Sequence, residues 1–216
     1  MEPIAYIHNA FKSKFAVPRQ SGLNSALSEV VMESSFSDPE AFRGLEAFSH
    51  IWLIWQFSEN LRDGFSPTVR PPRLGGNARV GVFASRSPFR PNALGLSCVE
   101  LVSINKGSLT VRGADLMDGT PILDIKPYVP YADCIPDAKE GWASAPSDLL
   151  EVSFSGEAAS ALSELEKAEL CSVLKNDPRP AYQDDPERVY GFSYGSREIR
   201  FIINGKHLTV ISAEQQ

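Results

Sequence analysis

Several signatures that announce a chemistry are missing from this chain. It has no GxxxxGK[ST] loop, no GxGxxG and no HExxH. Phosphate-loop hydrolysis, a dinucleotide crossover and zincin proteolysis therefore lose their sequence support, and no serine nucleophile elbow is read. Cysteine is scarce: Cys98, Cys134 and Cys171 are odd in number, widely spaced and without a CxxC. They fit free thiols in a reducing cytoplasm better than a disulfide framework or a zinc site. Only three histidines occur, His8, His50 and His207, and their scatter gives no metal-ligand spacing. No apolar run approaches about eighteen residues, so no membrane-spanning helix is expected. The N-terminal MEPIAYIHNAFKSKF lacks the basic-then-apolar layout of a secretory signal.

The most informative absence is local. From Gly64 to Val99 there is no Asp, Glu or Lys, in a chain with 27 acidic residues and a net charge of −6. The same stretch holds five arginines, Arg70, Arg73, Arg79, Arg86 and Arg90, set among prolines. Guanidinium forks suit carboxylates and phosphates, and neighbouring prolines reduce the entropy lost when a loop orders on a ligand. Alternatively, individual arginines pair with acidic residues elsewhere in the chain. An acidic average argues against a generic polyanion binder, although a local patch can override it.

The coarse pattern is mainly β. PIAYIHNAF reads as a strand, and KFAVPRQSGLNS as a loop broken by Pro18 and Gly22. Ser37-Asp38-Pro39-Glu40 reads as a helix start, with the helix ending near Gly44. HIWLIWQF is a buried strand, and SPTVRPPRLGGNAR, with its Gly75-Gly76 pair, a loop. VGVFAS, GLSCVELVSI, SLTVRGADL and PILDIKPYV complete the strands, with a hairpin turn at Asn105-Lys106-Gly107. Many short strands at such spacing indicate a barrel or a sandwich. After Pro136 the composition shifts. DAKEGWASAPSD is linker-like, GEAASALSELEKAELCSVLKND reads as one amphipathic helix, and EIRFIINGKHLTVISA as a hairpin turned at Asn204-Gly205. The expected architecture is a β-rich domain over 1–140 followed by a small α+β domain over 141–216.

A second candidate block is DLMDGTPILDIKPYVPYAD, which places Asp115, Asp118, Asp124, Lys126 and Tyr128 at strand ends and turns. Asp118-Gly119-Thr120-Pro121 is a turn expected to present backbone amides and a carboxylate. Asp124 and Lys126, two apart, share a strand face and can pair. These features describe either a surface hairpin or one wall of a cleft. His50 is either a base or a half-buried structural histidine.

Taken together, FAVPRQSGL, RGLEAFSHIWLIWQF, TVRPPRLGGNARVGVFASRSPFRPNALGLS, DLMDGTPILDIKPYVPYAD and DPRPAY resemble the TrmO family. These are tRNA (N6-threonylcarbamoyladenosine-N6)-methyltransferases, also known as TsaA- or VirR-like proteins. The resemblance runs from about Ile4 to the C-terminal hairpin. It implies a small β-barrel N-terminal domain, S-adenosylmethionine as methyl donor, the anticodon arm of tRNA as partner and a homodimer in the cytoplasm. By motif, it puts donor contacts on Pro18, Arg19, Gln20, Ser58, Glu59, Arg86, Leu96, Asp118, Gly119, Thr120 and Pro121. Ser21 and Ala93-Leu94 depart from the family pattern without removing a charged group.

Within that resemblance, His50, Asp124 or Tyr128 can take the proton from the acceptor nitrogen. Arg70, Arg73, Arg79 and Arg90 suit anticodon-arm phosphates or the threonyl carboxylate, Arg90 standing between donor and tRNA, while Arg179 offers a charge contact and Tyr182 base stacking. A non-catalytic S-adenosylmethionine-binding regulator and a small-molecule methyltransferase on the same barrel are the competing readings.

Overall fold

The computed structural model describes residues 1–58, 66–74, 77–143, 149–179, 183 and 185–216, with Arg73 described by its backbone alone. Alternating apolar residues build the strands. In order these are β1 (Ala5–His8), β2 (Leu27–Met32), β3 (His50–Gln56), β4 (Thr68–Val69), β5 (Val80–Gly81), β6 (Leu94–Asn105), β7 (Ser108–Arg112) and β8 (Pro121–Pro127). A four-residue helix, α1 (Pro130–Asp133), follows. Next come β9 (Glu151–Phe154), α2 (Gly156–Ala161), α3 (Glu164–Leu174), β10 (Tyr190–Tyr194), β11 (Arg197–Asn204) and β12 (His207–Gln215).

Six strands close into a barrel in the order β1-β2-β7-β6-β3-β8, and β4 and β5 form a separate two-stranded ribbon. Every barrel pairing is antiparallel. Closure leaves no exposed edge. The period-two alternation sends Ile7, Val30, Ile51, Leu53, Val99, Leu109, Val111 and Ile122 inward. Burying each such side chain contributes about 1.5–3 kcal/mol.

The second sheet runs β10-β11-β12-β9, with β9 parallel to β12. Its core gathers Leu170, Val173, Leu174, Ile199, Phe201, Ile203, Leu208 and Val210. Phe11, Ala16 and Ala26, from the stretch between β1 and β2, are buried in the same core. The Phe11 ring meets Tyr194 edge-on at 5.7 Å. The two halves of the molecule are thereby stitched together by a segment of the first.

Several local expectations are corrected. The start at Asp38 is real, its carboxylate accepting the Glu40 amide, but it opens only a 3-10 turn over Pro39–Phe42. VGVFAS is two residues of β5 followed by a 3-10 turn over Val82–Ala84. The C-terminal amphipathic segment is two helices. They break at Ser163, which with Glu166 forms a reciprocal capping box at the start of α3. LSEVVM and YGFSY are strands beyond those expected from the sequence. In the last hairpin Asn204 still pairs with His207, so the turn is Gly205-Lys206. GFSYG, Gly191–Gly195, matches a nucleophile-elbow pattern by letters. It lies along β10, however, and its Ser193 hydroxyl donates to Glu198 at 3.3 Å.

Gly95 on β6 is set by a close approach: a Cβ there would fall inside the Trp55 indole. Gly95→Ala should therefore force Trp55 from its place. We expect a loss of about 1–3 kcal/mol and a melting temperature lower by roughly 3–10 °C by calorimetry. Unchanged melting would show that the ring repacks freely.

Candidate active site

Ser97 points into the barrel from β6 and is fully buried. Its hydroxyl accepts the Trp55 indole N–H at 2.9 Å and donates to Asp115 Oδ1 at 2.5 Å. Asp115 follows β7 after Gly113 and Ala114, and it also takes a backbone hydrogen bond from Ser21. Burial pushes its carboxyl above the usual range. The Ser97 hydroxyl, the backbone bonds and the nearby Arg86 charge pull the other way without restoring it. Arg86 is exposed and donates to the Gln20 side-chain oxygen. Thus the 18–21 loop, the 82–93 loop and the end of β7 converge on one half-buried carboxylate with one guanidinium nearby. A buried charge is tolerated only where partners compensate it, and such tuned groups collect at functional sites.

The sequence placed Asp115 among the strand-end carboxylates but gave it no role. Its signal is a charge set in GADLM, within an otherwise apolar run leaving a strand.

The Asp118–Pro121 turn differs from its expectation. The Asp118 and Gly119 amides do not face outward: they donate to Phe11 and Ile7 carbonyls at 2.9 and 2.8 Å. The Asp118 carboxylate takes the Asn9 amide at 3.0 Å, Lys12 at 2.7 Å and His8 at 3.5 Å. Partial burial raises its proton affinity, but Lys12, the Asn9 amide and His8 together hold it below the usual carboxylate range. Gly119 has φ +76°, a conformation costly for other residues, and is the exposed part of the turn. Thr120 and Pro121 are buried. The turn locks the end of β1 to the start of β8, beside the Asp115 segment.

The remaining donor candidates are spread along this edge. Pro18 is buried and Gln20 half-buried. Arg19 reaches across to the second half of the molecule, donating to the Asp177 and Arg179 carbonyls at 3.2 and 2.6 Å. Leu96, 57% exposed, stands on the outside of β6. Ser58 is exposed, and Glu59 lies outside the described residues.

The three candidate bases do not join Arg86 within one chain. His50 and Tyr128 lie together at the far end of β3 and β8, with rings 6.3 Å apart. His50 is five residues from Trp55 along β3, about 17 Å of strand. Tyr128 packs on Trp52 at 5.7 Å. Desolvation, with Cys134, Cys98 and Asp133 nearby, pushes its phenol up, so it keeps its proton. Asp124 binds Lys126 at 3.0 Å and its neighbour's Ile125 amide at 2.9 Å. It lines a separate apolar groove of about 640 Å³ with Ile4, Phe42 and Leu45.

The arginines divide as well. Arg90 donates to the Val82 and Ser85 carbonyls at 3.2 and 2.6 Å and so braces its own loop. Arg179 is corrected from a tRNA charge contact to an internal tie: only 9% exposed, it forks onto both Asp177 carboxylate oxygens at 3.0 Å. Arg70 and Arg79 are exposed at the end of the β4–β5 ribbon. Tyr182 and the Arg73 side chain lie outside the described residues. Among the described residues, no group of three His, Cys, Asp or Glu could hold a metal ion, and no helix is long and apolar enough to cross a membrane.

Comparison with known proteins gives this arrangement a setting. Residues 6–134 match the tRNA-methyltransferase O N-terminal domain, and residues 147–216 the TrmO C-terminal domain. The chain is 48% identical to the tRNA (adenine(37)-N6)-methyltransferase of Escherichia coli, over 86% of this chain and 84% of that one. It is 47% identical to the enzyme of that name from Eikenella corrodens, over 77% of this chain and 97% of the other. The crystal structure of TrmO from Pseudomonas aeruginosa superimposes with a TM-score of 0.84 at 34% identity, covering 99% and 95% of the two chains. With both domain models matched in order on a closed barrel and its appended sheet, the chain belongs to the TrmO family.

Proposed function

We propose that this chain moves the methyl group of S-adenosylmethionine to N6 of the threonylcarbamoyladenosine beside the anticodon of tRNA, at the Arg86–Asp115 edge of the barrel. The observation that carries the placement is the half-buried Asp115 carboxylate near the exposed, Gln20-bound Arg86. The residues there fit the donor's chemistry. It carries a carboxylate for a guanidinium, an adenine for backbone edges, and apolar surface for Leu96. When bound, S-adenosylmethionine supplies an electrophilic methyl on a sulfonium.

Arg86 and Gln20 hold the amino-acid end of the donor, Gln20 orients Arg86, and the Asp115 charge lies near it. Pro18 keeps its loop still, while Arg19 anchors that loop to the C-terminal half. Asp118 to Pro121 act by locking the barrel mouth. This turn sets position without lending its own hydrogen bonds. Methyl transfer is an in-line displacement, so orientation supplies most of the rate. The N6 proton then needs an acceptor. His50 and Asp124 are ionisable groups outside the mouth of their own chain, so serving as that acceptor requires a second copy. We place the enzyme in the cytoplasm as a homodimer whose contact includes the outer face carrying Leu96, Trp52 and Tyr128. The exposed Leu96, Tyr131 and Ile135 support that contact. The 1–140 domain binds donor, and the 141–216 domain contributes to holding tRNA.

The test is to incubate the protein with isotope-labelled donor and tRNA that carries or lacks the threonylcarbamoyl group. Label should enter only the modified tRNA. Donor binding without transfer to either tRNA would sink the proposal in favour of a regulator.

A further inference from the structure

Two aromatic rings from distant parts of the sequence meet the solvent beside the arginine loop, and none of the donor contacts uses them. Phe83 sits at the tip of the Val82–Ala84 turn and is 74% exposed. Trp142 is 36% exposed and comes from the stretch between the two matched domains. Its indole N–H donates to the Ala84 carbonyl at 2.8 Å, across 58 residues of chain.

Both rings are firmly mounted. Val82 is buried at 1%, its amide donates to Pro67 at 3.0 Å, and its carbonyl takes the Ser85 hydroxyl at 2.8 Å. The Arg90 guanidinium, held by the Val82 and Ser85 carbonyls, lies 6.0 Å from the centre of the Phe83 ring. A single exposed Phe is ordinary on a protein surface. Here a second aromatic is hydrogen-bonded to the adjoining residue, and a cation backs the first ring. Arg86 stands two residues beyond Ala84, and the exposed Arg70 and Arg79 flank the Val69–Val80 pair at the other end of the ribbon that leads into the turn. No acidic residue interrupts the sequence from Gly64 to Val99, in a chain of net charge −6.

Apolar area alone would suit any protein partner. Flat rings on a rigid turn, the first of them in a stretch whose charges are all arginine, match the chemistry of an unpaired nucleic-acid strand. Its bases stack on aromatic faces, and its phosphates pair with guanidinium groups. We propose that Phe83 and Trp142 form a stacking platform for unpaired bases of the RNA substrate next to the donor edge, with Arg70 and Arg79 on the flanking phosphates. The proposal rests on the tRNA-methyltransferase reading and gives the RNA a defined path beside it.

The experiment uses the full-length protein and two RNA probes, an anticodon stem-loop and a fully paired duplex of equal length. Phe83→Ala and Trp142→Ala should each weaken stem-loop binding roughly 5- to 100-fold. Duplex binding, donor affinity and kcat should stay near native values, while KM for tRNA rises. Phe83→Tyr should restore binding and Phe83→Leu should not, because stacking needs the ring rather than its area.

Native stem-loop affinity in both alanine variants, or full rescue by Leu, overturns the platform. So does a fall in oligomeric mass in either variant, which would make the rings a contact between copies. Methyl transfer by the native protein to modified tRNA is recorded alongside. If transfer occurs while the variants bind normally, the platform alone fails. If no tRNA is methylated, the parent reading fails.

Discussion

Arg86→Ala should abolish binding of S-adenosylmethionine at micromolar concentrations and with it all methyl transfer. The guanidinium is exposed, oriented by Gln20 and close enough to the half-buried Asp115 to lower its proton affinity. Its charge-assisted contact to the donor is worth about 1.5–3 kcal/mol. Its removal also takes away the positive charge that partly offsets the Asp115 carboxylate. The lost contact predicts a fall on the order of 10- to 100-fold in donor affinity. Arg86→Lys keeps the charge but loses the fork, so it should recover only part. Isothermal titration with the donor decides the matter: an alanine variant that binds as tightly as the native protein removes Arg86 from the site.

Asp115→Asn should separate stability from function. Burial raises the Asp115 proton affinity in the folded chain above that of the unfolded one. Between those two values the folded state binds more protons, so this group's contribution to stability falls as pH rises through the window. At neutral pH the ionised carboxylate therefore strains the fold. Asparagine can still accept from Ser97 without the buried charge. The variant should melt at or above the native temperature at pH 7, and the difference should shrink under acid conditions as native Asp115 takes up its proton. Donor binding should nonetheless weaken roughly 3- to 10-fold, since Arg86 loses the neighbouring negative charge. Residues placed for function rather than stability behave in this way. A variant that both unfolds and fails to bind would make Asp115 a structural residue, and one that binds normally would leave Arg86 independent of it.

The strands of the barrel were legible because they are short, apolar and punctuated. HIWLIWQF and PILDIKPYV carry β3 and β8, and the hairpin between β6 and β7 turns at Lys106-Gly107, Asn105 still pairing with Ser108. The misjudged pieces have local causes. Asp38 caps a turn, but Arg43-Gly44 leaves the helical path after four residues. Ser163 has the S-x-x-E spacing of a new helix start inside what reads as one amphipathic run.

The site was legible in part. Arg86 and Gln20 meet as the motifs suggest, whereas the Asp118 turn looks like a ligand cradle in sequence. Only the fold shows its amides occupied by Phe11 and Ile7. Asp115 gains its meaning from Ser97, Trp55, Ser21 and Arg86, which come from four separate segments. No local pattern encodes that convergence. Arg179 reads as a free cation, and its partner Asp177 lies only two residues away.

The most direct measurement is to map the transferred methyl. Native protein is incubated with labelled donor and tRNA bearing threonylcarbamoyladenosine, the tRNA is digested to nucleosides, and the labelled product is fragmented. The account predicts all label on the N6 nitrogen of threonylcarbamoyladenosine and none with Arg86→Ala. Label on another nucleoside or another atom, or undiminished transfer by Arg86→Ala, would contradict it.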